Sequence, residues 1–186
     1  YAPIFFKQAK YTLLDQNTFW LCEKPDSVGM VGWDAALTRI ATWVKLQDKK
    51  TGQILMVVNT HFDHIGTEAR RNSALLIIEK IKEIVGTSPA ILTGDFNVSE
   101  DWDAYKTITN NEFILKDAHK VAGKRTGVDF TYHNFGKIPA EKCEKIDFIF
   151  VTPQIRVISS YIPFSQLNDT LFLSDHNPEI VELEIK

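Results

Sequence analysis

Cysteine is scarce: Cys22 and Cys143 are the only two in 186 residues. A disulfide framework and a cysteine-built zinc cluster are therefore excluded, and two free thiols are a simpler reading than one bridge. Long apolar runs are missing as well. Ile54-Leu55-Met56-Val57-Val58 is among the longest and has the size of a strand, so no transmembrane segment is expected. Neither sign of charge dominates: 21 Lys+Arg face 24 Asp+Glu, a formal net charge of −3. That balance argues against a dedicated, charge-driven nucleic-acid binder and leaves room for an enzyme with a local basic patch. No internal repeat and no low-complexity linker interrupts the chain. Nor does it open on methionine. It starts Tyr1-Ala2-Pro3-Ile4-Phe5-Phe6 with no visible signal peptide, so an internal start by processing or truncation is expected. The compartment stays open, a secreted or periplasmic one included.

What is present suits one folded domain. Hydrophobic residues make up 44% and charged residues 24%, ordinary for a globular chain of this length. Ile4–Lys7 and Tyr11–Leu21 are β-branched and aromatic and read as strands, with a turn at Asp15-Gln16-Asn17. Arg39–Gln47 and Gln53–Thr60, joined through Lys49-Lys50-Thr51-Gly52, predict a hairpin. Thr67–Val85 predicts a helix capped by Thr67, with an apolar stripe at Ala74, Ile77, Ile78, Ile81, Ile84 and Val85. Ala90–Thr93 is strand-like. Ser99 is placed to cap a second helix running to about Asn110, and Ile146–Thr152, Arg156–Ile162 and Glu179–Ile185 are further strands. Hairpins mixed with a few helices predict a layered α/β (α+β) fold, sheets inside and helices outside.

Polar clusters interrupt the strand ends: Asn59-Thr60-His61-Phe62-Asp63-His64, Gly94-Asp95-Phe96-Asn97 and Ser174-Asp175-His176-Asn177-Pro178. Asp95 and Asn97 are two apart, so both side chains can face one way. There a carboxylate can orient a water or cation while the amide donates to a phosphate oxygen without adding negative charge. Asp147 is a lone carboxylate between Ile146 and Phe148-Ile149-Phe150. A carboxylate in such a setting needs a partner, and His176 is the natural one, because the pair fixes tautomer and ring orientation. Lys116, Lys120, Lys124 and Arg125 form a modest basic stretch, read as a solvated loop, ahead of Phe130-Thr131-Tyr132-His133. His133 could line a pocket; His119 and His64 read as structural or surface residues.

Two hydrolase readings compete. Asn59-x-His61-x-Asp63-His64 nearly spells the metallo-β-lactamase zinc motif. It fails on ligand count: asparagine stands where the first histidine belongs, and no histidine occurs between His64 and His119. The other reading rests on Asn59-Thr60-His61, Gly94-Asp95-Phe96-Asn97, Lys145-Ile146-Asp147-Phe148-Ile149 and Ser174-Asp175-His176-Asn177-Pro178, in that order. With Gly32-Trp33-Asp34-Ala35-Ala36 and Arg39-Ile40-Ala41-Thr42-Trp43, the chain resembles the endonuclease/exonuclease/phosphatase superfamily over essentially its whole length.

The resemblance implies a four-layer α/β sandwich of two packed mixed sheets, with the site at one end of the sheets. It also implies roles. His176 activates the nucleophile or stabilises phosphoryl charge, Asp147 orients it, and Asp95 positions or deprotonates the attacking water. Asn97 and His61 contact phosphate, Arg39 aligns with a phosphate-binding arginine, and Asp175 lies in or beside the shell of Mg²⁺ or Mn²⁺. The family's first-strand asparagine and its metal-binding glutamate have no counterpart in these residues. Residues 1–186 are therefore expected to form the C-terminal two-thirds of one domain, lacking the N-terminal strands, with the missing segment as partner. The implied activity is divalent-metal-dependent phosphoester hydrolysis by in-line attack of water. A catalytically incomplete phosphate-binding remnant is the alternative. Nucleic acid, phospholipid and sugar phosphate are not distinguished as substrates.

Overall fold

The computed structural model describes residues 1–110, 113, 115–168 and 171–185. In chain order its elements are β1 (Tyr11–Trp20), β2 (Ile40–Asp48), β3 (Ile54–His61), α1 (Thr67–Val85), β4 (Ala90–Asp95) and α2 (Asp103–Thr109). Then come β5 (Lys116–Asp117), α3 (Ala118–Val121), β6 (Lys124–Gly127), β7 (Asp147–Val151), β8 (Ile155–Ile162), β9 (Gln166–Asn168), β10 (Leu171–Phe172) and β11 (Ile180–Ile185). Among the described residues, no helix is long and apolar enough to cross a membrane.

A six-stranded sheet has the order β1-β2-β3-β4-β7-β5, and a three-stranded sheet the order β11-β8-β6. Both are mixed: β3 runs parallel to β4 and β6 to β8, while the other pairs are antiparallel. The period-two alternation of strand side chains explains the layering. Met56, Val58, Leu92, Phe148 and Phe150 face one way and pack with Ile77 and Ile81 of α1 and Tyr105 and Ile108 of α2. Their chain neighbours Leu55, Val57, Ile91, Ile149 and Val151 face the other way. These pack with Ile155 and Val157 of β8 and Val181, Leu183 and Ile185 of β11. Helices, large sheet and small sheet thus stack as successive layers of the expected sandwich.

Several local expectations change. Tyr1–Lys7 forms no strand; the Asn59 side chain donates to the Pro3 carbonyl (2.9 Å), and Phe5 stays exposed. No turn breaks β1 at 15–17. Asp15, Gln16 and Asn17 pair with Lys45, Val44 and Trp43 on an exposed edge strand that tolerates polar residues, and the irregularity is a bulge at Leu14. Thr67 is not the cap of α1, which starts after Gly66. Its amides are satisfied from afar: the Asp34 carboxylate accepts from Ala69 (2.7 Å) and Glu68 (3.2 Å). A Cβ on Gly66 would lie 2.6 Å from Asp34 Oδ1, so only glycine admits this carboxylate. Ser99 does not cap α2; its hydroxyl donates to Glu144 (3.0 Å), and the helix begins at Asp103. The basic stretch is not a plain loop but builds β5, α3 and β6, with Lys120 paired to Glu100.

Candidate active site

The site is laid out by strand register. His61 ends β3, Asp95 ends β4 and Asp147 begins β7; His61 pairs with Asp95, and Asp95 with Asp147. The three therefore form one row across adjacent strands, on the face that looks toward the small sheet. Asn59 and Thr93, two residues back, form the next row and share a hydrogen bond (3.0 Å). Gly94 lets the strands close: its Cβ would fall 2.4 Å from the Thr60 carbonyl oxygen. A cleft of about 400 Å³ opens here, lined among others by His61, Asp95 and Asp147.

His176 reaches this row from the turn before β11. Its Nδ1 lies 2.7 Å from Asp147 Oδ2, and its Nε2 lies 4.0 Å from Asp95 Oδ2. Burial works against the charged ring, but the Asp147 hydrogen bond and the carboxylates of Asp147, Asp95 and Asp175 hold its pKa above the ordinary value. Burial and the charge of Asp147 raise the Asp95 carboxyl to about 6. Burial and Arg39 lower His61 to about 4, so its Nε2, 3.3 Å from Asp95 Oδ2, belongs to a neutral ring at pH 7. Asn97, held at φ 50°, donates its backbone N–H to Asp95 Oδ1 (2.9 Å) and one side-chain N–H to the Phe62 carbonyl (3.0 Å). An amide nitrogen carries a second N–H, which is left for an oxygen ligand.

Thr131 fastens the pair from behind. Its hydroxyl accepts from the amides of Ile146 and Asp147 (both 3.0 Å), and its carbonyl accepts from the amide of Asn177 (2.6 Å). The Asn177 side chain then accepts from Ser165 (2.9 Å). Lys145 donates to the Asp147 carbonyl (2.8 Å) and pairs with buried Glu179 (2.9 Å). None of these supports was singled out from sequence, although Lys145, Thr131 and Asn177 all lie inside or beside the quoted motifs.

Arg39 is oriented by Asp63. That carboxylate is buried and accepts from the amides of Gly66 (2.8 Å), Ile65 (2.9 Å), Ala36 (3.1 Å) and Leu37 (3.2 Å). It also takes Arg39 Nε at 3.3 Å. Burial opposes its charge, yet the amides hold it well below the usual carboxylate range. The near-zinc motif is thus spent on structure: Asp63 ties two loops together, and His64 meets Arg39 Nη2 at 3.0 Å.

One expected position is corrected. His133 is 1% exposed and cannot touch a substrate. Its ring packs among Phe130, Phe164 and Phe172, and its Nδ1 accepts from Gly136 (3.0 Å). Asp175 neighbours the group that could hold a metal and acts on it through its charge beside His176. Among the described residues that group is Asp95, Asp147 and His176, with ligand atoms within 4.8 Å of one another. The donor set suits a hard cation in part. Asp147 and His176 are engaged with each other, so Asp95, crowded by a second carboxylate, is the oxygen donor a cation would relieve. His119, by contrast, is the structural residue expected, with Nδ1 2.8 Å from Ser160 Oγ.

The model of the Endonuclease/Exonuclease/phosphatase family matches residues 6–176. A solved endonuclease/exonuclease/phosphatase from Bacteroides vulgatus is 63% identical, with a TM-score of 0.93 over 97% of this chain and 69% of that one. The mannosyl-6-phosphatase of Bacteroides thetaiotaomicron is 34% identical, with a TM-score of 0.88 over 97% of this chain and 69% of that one. An uncharacterized protein, L388, of Acanthamoeba polyphaga mimivirus is 30% identical over 175 residues. The match spans 89% of this chain and 63% of that protein's length.

Proposed function

The chain belongs to the endonuclease/exonuclease/phosphatase family, and we propose that it hydrolyses a phosphoester by in-line attack of water, assisted by Mg²⁺ or Mn²⁺. The observation that carries this reading is the convergence of Asp95, Asp147 and His176 from separate strand ends onto one row. Asp95, its Oδ1 held by the Asn97 amide, orients the attacking water and takes its proton as the oxygen–phosphorus bond forms and the bond to the leaving oxygen breaks. His176, oriented through Nδ1 by Asp147, which favours its charged form, presents Nε2–H to a phosphoryl oxygen as negative charge builds. Asn97 adds a neutral donor, and Arg39, steadied by Asp63, supplies fixed positive charge. A hard divalent cation, when bound, supplies Lewis-acid polarisation of the phosphoryl group. Asp95, with Asp147 and His176 beside it, is where this chain would hold that cation.

A phosphomonoester of a sugar is favoured over a nucleic-acid strand by the mannosyl-6-phosphatase likeness and by the net charge of −3. The test is a panel of phosphomonoesters and diesters with Mg²⁺, run on the full-length protein. Monoester turnover abolished by Asp95→Asn is expected. No turnover of any phosphoester, with the fold intact, would leave the phosphate-binding remnant as the reading.

A further inference from the structure

β3 and β4 run parallel, so the loops that follow them leave the sheet at the same end, the end that carries His61 and Asp95. Between those loops, on the helix side, lies a groove of about 670 Å³ formed by the start of α1, the lead-in to α2 and Asp34. Val98, the chain neighbour of Asn97, is part of its wall. The groove is separate from the row of reacting groups and opens at the same end of the sheet.

Its most conspicuous wall is Trp102. The indole is 41% exposed, whereas the aromatic residues on either side in sequence, Phe96 and Tyr105, are buried. The ring is held in place: the Arg70 guanidinium lies over it, 4.9 Å from the centroid. Arg70 is 4% exposed and is itself fixed, Nη1 donating to the Asp63 carbonyl (3.0 Å) and Nη2 to the Thr67 hydroxyl (3.4 Å). Its buried Nε–H has no partner among the described residues, which leaves an unmet donor at the floor of the groove. Around the indole stand the exposed carboxylates of Glu68, Asp101 and Asp103.

We propose that this groove binds an uncharged sugar ring, the neighbour of the phosphorylated residue in a glycan, stacked on Trp102. The proposal rests on the phosphoesterase reading and names the part of the substrate that lies beyond the phosphate. A rigid aromatic face attracts the polarised C–H face of a pyranose, and its hydroxyls donate to ionised carboxylates in charge-assisted hydrogen bonds. The same carboxylates set it against a nucleic acid. A base could stack on Trp102, but its phosphates would meet more carboxylates than guanidiniums, since Arg70 and Arg71 alone oppose Asp34, Glu68, Asp101 and Asp103 along the walls.

The experiment is carried out on the full-length protein, with phosphate-free mannobiose and methyl α-mannoside as probes and the dinucleotide thymidylyl-thymidine as competitor class. The readout is the indole N–H resonance of Trp102, distinguished from those of the other tryptophans by Trp102→Phe. Mannobiose at millimolar concentration should shift that signal, and the dinucleotide should not. Asp101→Asn, at an exposed position that keeps the fold, should weaken mannobiose binding several-fold. Trp102→Ala should narrow the preference for a phosphorylated disaccharide over p-nitrophenyl phosphate about tenfold, the scale of one pocket contact. No shift from either saccharide, or a larger shift from the dinucleotide, overturns the groove assignment while turnover of p-nitrophenyl phosphate stands. Saccharide-induced shifts with no phosphoester turned over would overturn the phosphoesterase reading instead.

Discussion

Asp147 Oδ2 and His176 Nδ1 lie 2.7 Å apart across 29 residues of sequence, and the carboxylate thereby decides which imidazole nitrogen faces the reacting row. His176→Ala in the full-length enzyme should lower kcat by roughly 10²–10⁴-fold, the range for a lost acid–base group. Asp147→Asn should cost as much or less, because the ring remains but is misoriented. The double variant should be far milder than the product of the two, since the residues act as a unit. Steady-state kinetics of the four proteins check this, and full multiplication of the two losses would show independent residues. His119→Ala, at a ring held by Ser160 and outside the row, is the control and should cost far less kcat than His176→Ala.

Acid should loosen the loop that carries Arg39. Asp63 has a folded-state pKa depressed below the unfolded value of about 3.9. A depressed carboxylate contributes stability that is present above its unfolded pKa and is lost as pH falls through the folded pKa. Wild type should therefore lose this contribution progressively below about pH 4. Asp63→Asn should be less stable at pH 7 by roughly 1–3 kcal/mol, the cost of an unsatisfied buried amide, and the gap should close in acid. Urea denaturation from pH 7 down to pH 3 measures it; a gap constant with pH would contradict the assignment.

Gly94→Ala tests the closeness of β3 and β4. The new methyl would meet the Thr60 carbonyl at 2.4 Å, backbone against backbone with nothing flexible to yield. Overpacking of this kind costs about 1–3 kcal/mol. At about 2–4 °C per kcal/mol for a domain of this size, Tm should fall several degrees. A thermal melt unchanged within a degree would show that the strands can part without penalty.

Chelator should abolish activity of the full-length enzyme, and Mg²⁺ or Mn²⁺ should restore it, since the available donors are hard oxygens. The 186-residue chain alone should bind the cation weakly by calorimetry, with Asp95 as the carboxylate in the row that is not hydrogen-bonded to His176. Tight stoichiometric zinc would point back to the histidine-rich motif.

Thr131→Val removes the hydroxyl that accepts from Ile146 and Asp147 while keeping the shape of the side chain. Two amides lose their acceptor, at about 1–3 kcal/mol each if no water replaces it. The expected result is a lower Tm together with a kcat loss that follows the Asp147→Asn variant in its pH profile. A loss of Tm with an unaltered pH profile would make Thr131 structural only.

The chemistry was more legible than its mounting. Asp147 stood out because a carboxylate inside Ile-x-Phe-Ile-Phe has few bland explanations, and His176 because it sits in a rigid turn before a strand. The α1 stripe and the β2–β3 hairpin were legible because each rests on local periodicity. What escaped was tertiary. Nothing near Glu68 and Ala69 in sequence announces that Asp34 will accept from their amides, more than thirty residues away. Asp15-Gln16-Asn17 carries turn chemistry, but pairing with β2 overrides it. His133 follows a polar motif and yet is swallowed by an aromatic cluster that only the return of β9 and β10 creates.

The placement of His61, Asp95 and Asp147 on successive strands also separates two properties that a protein engineer usually finds entangled. Side chains alternate, so Asn59, Thr93 and Ile149, two positions along the same strands, look into the same cleft one step deeper than the reacting groups. Changes at those positions would recontour the floor under a substrate while the upper step keeps its spacing, because that spacing is set by interstrand hydrogen bonds and not by side-chain packing. Selectivity can therefore be retuned there by library screening with little risk to turnover. A one-residue slip of β4 would instead erase both at once, by exchanging its two faces.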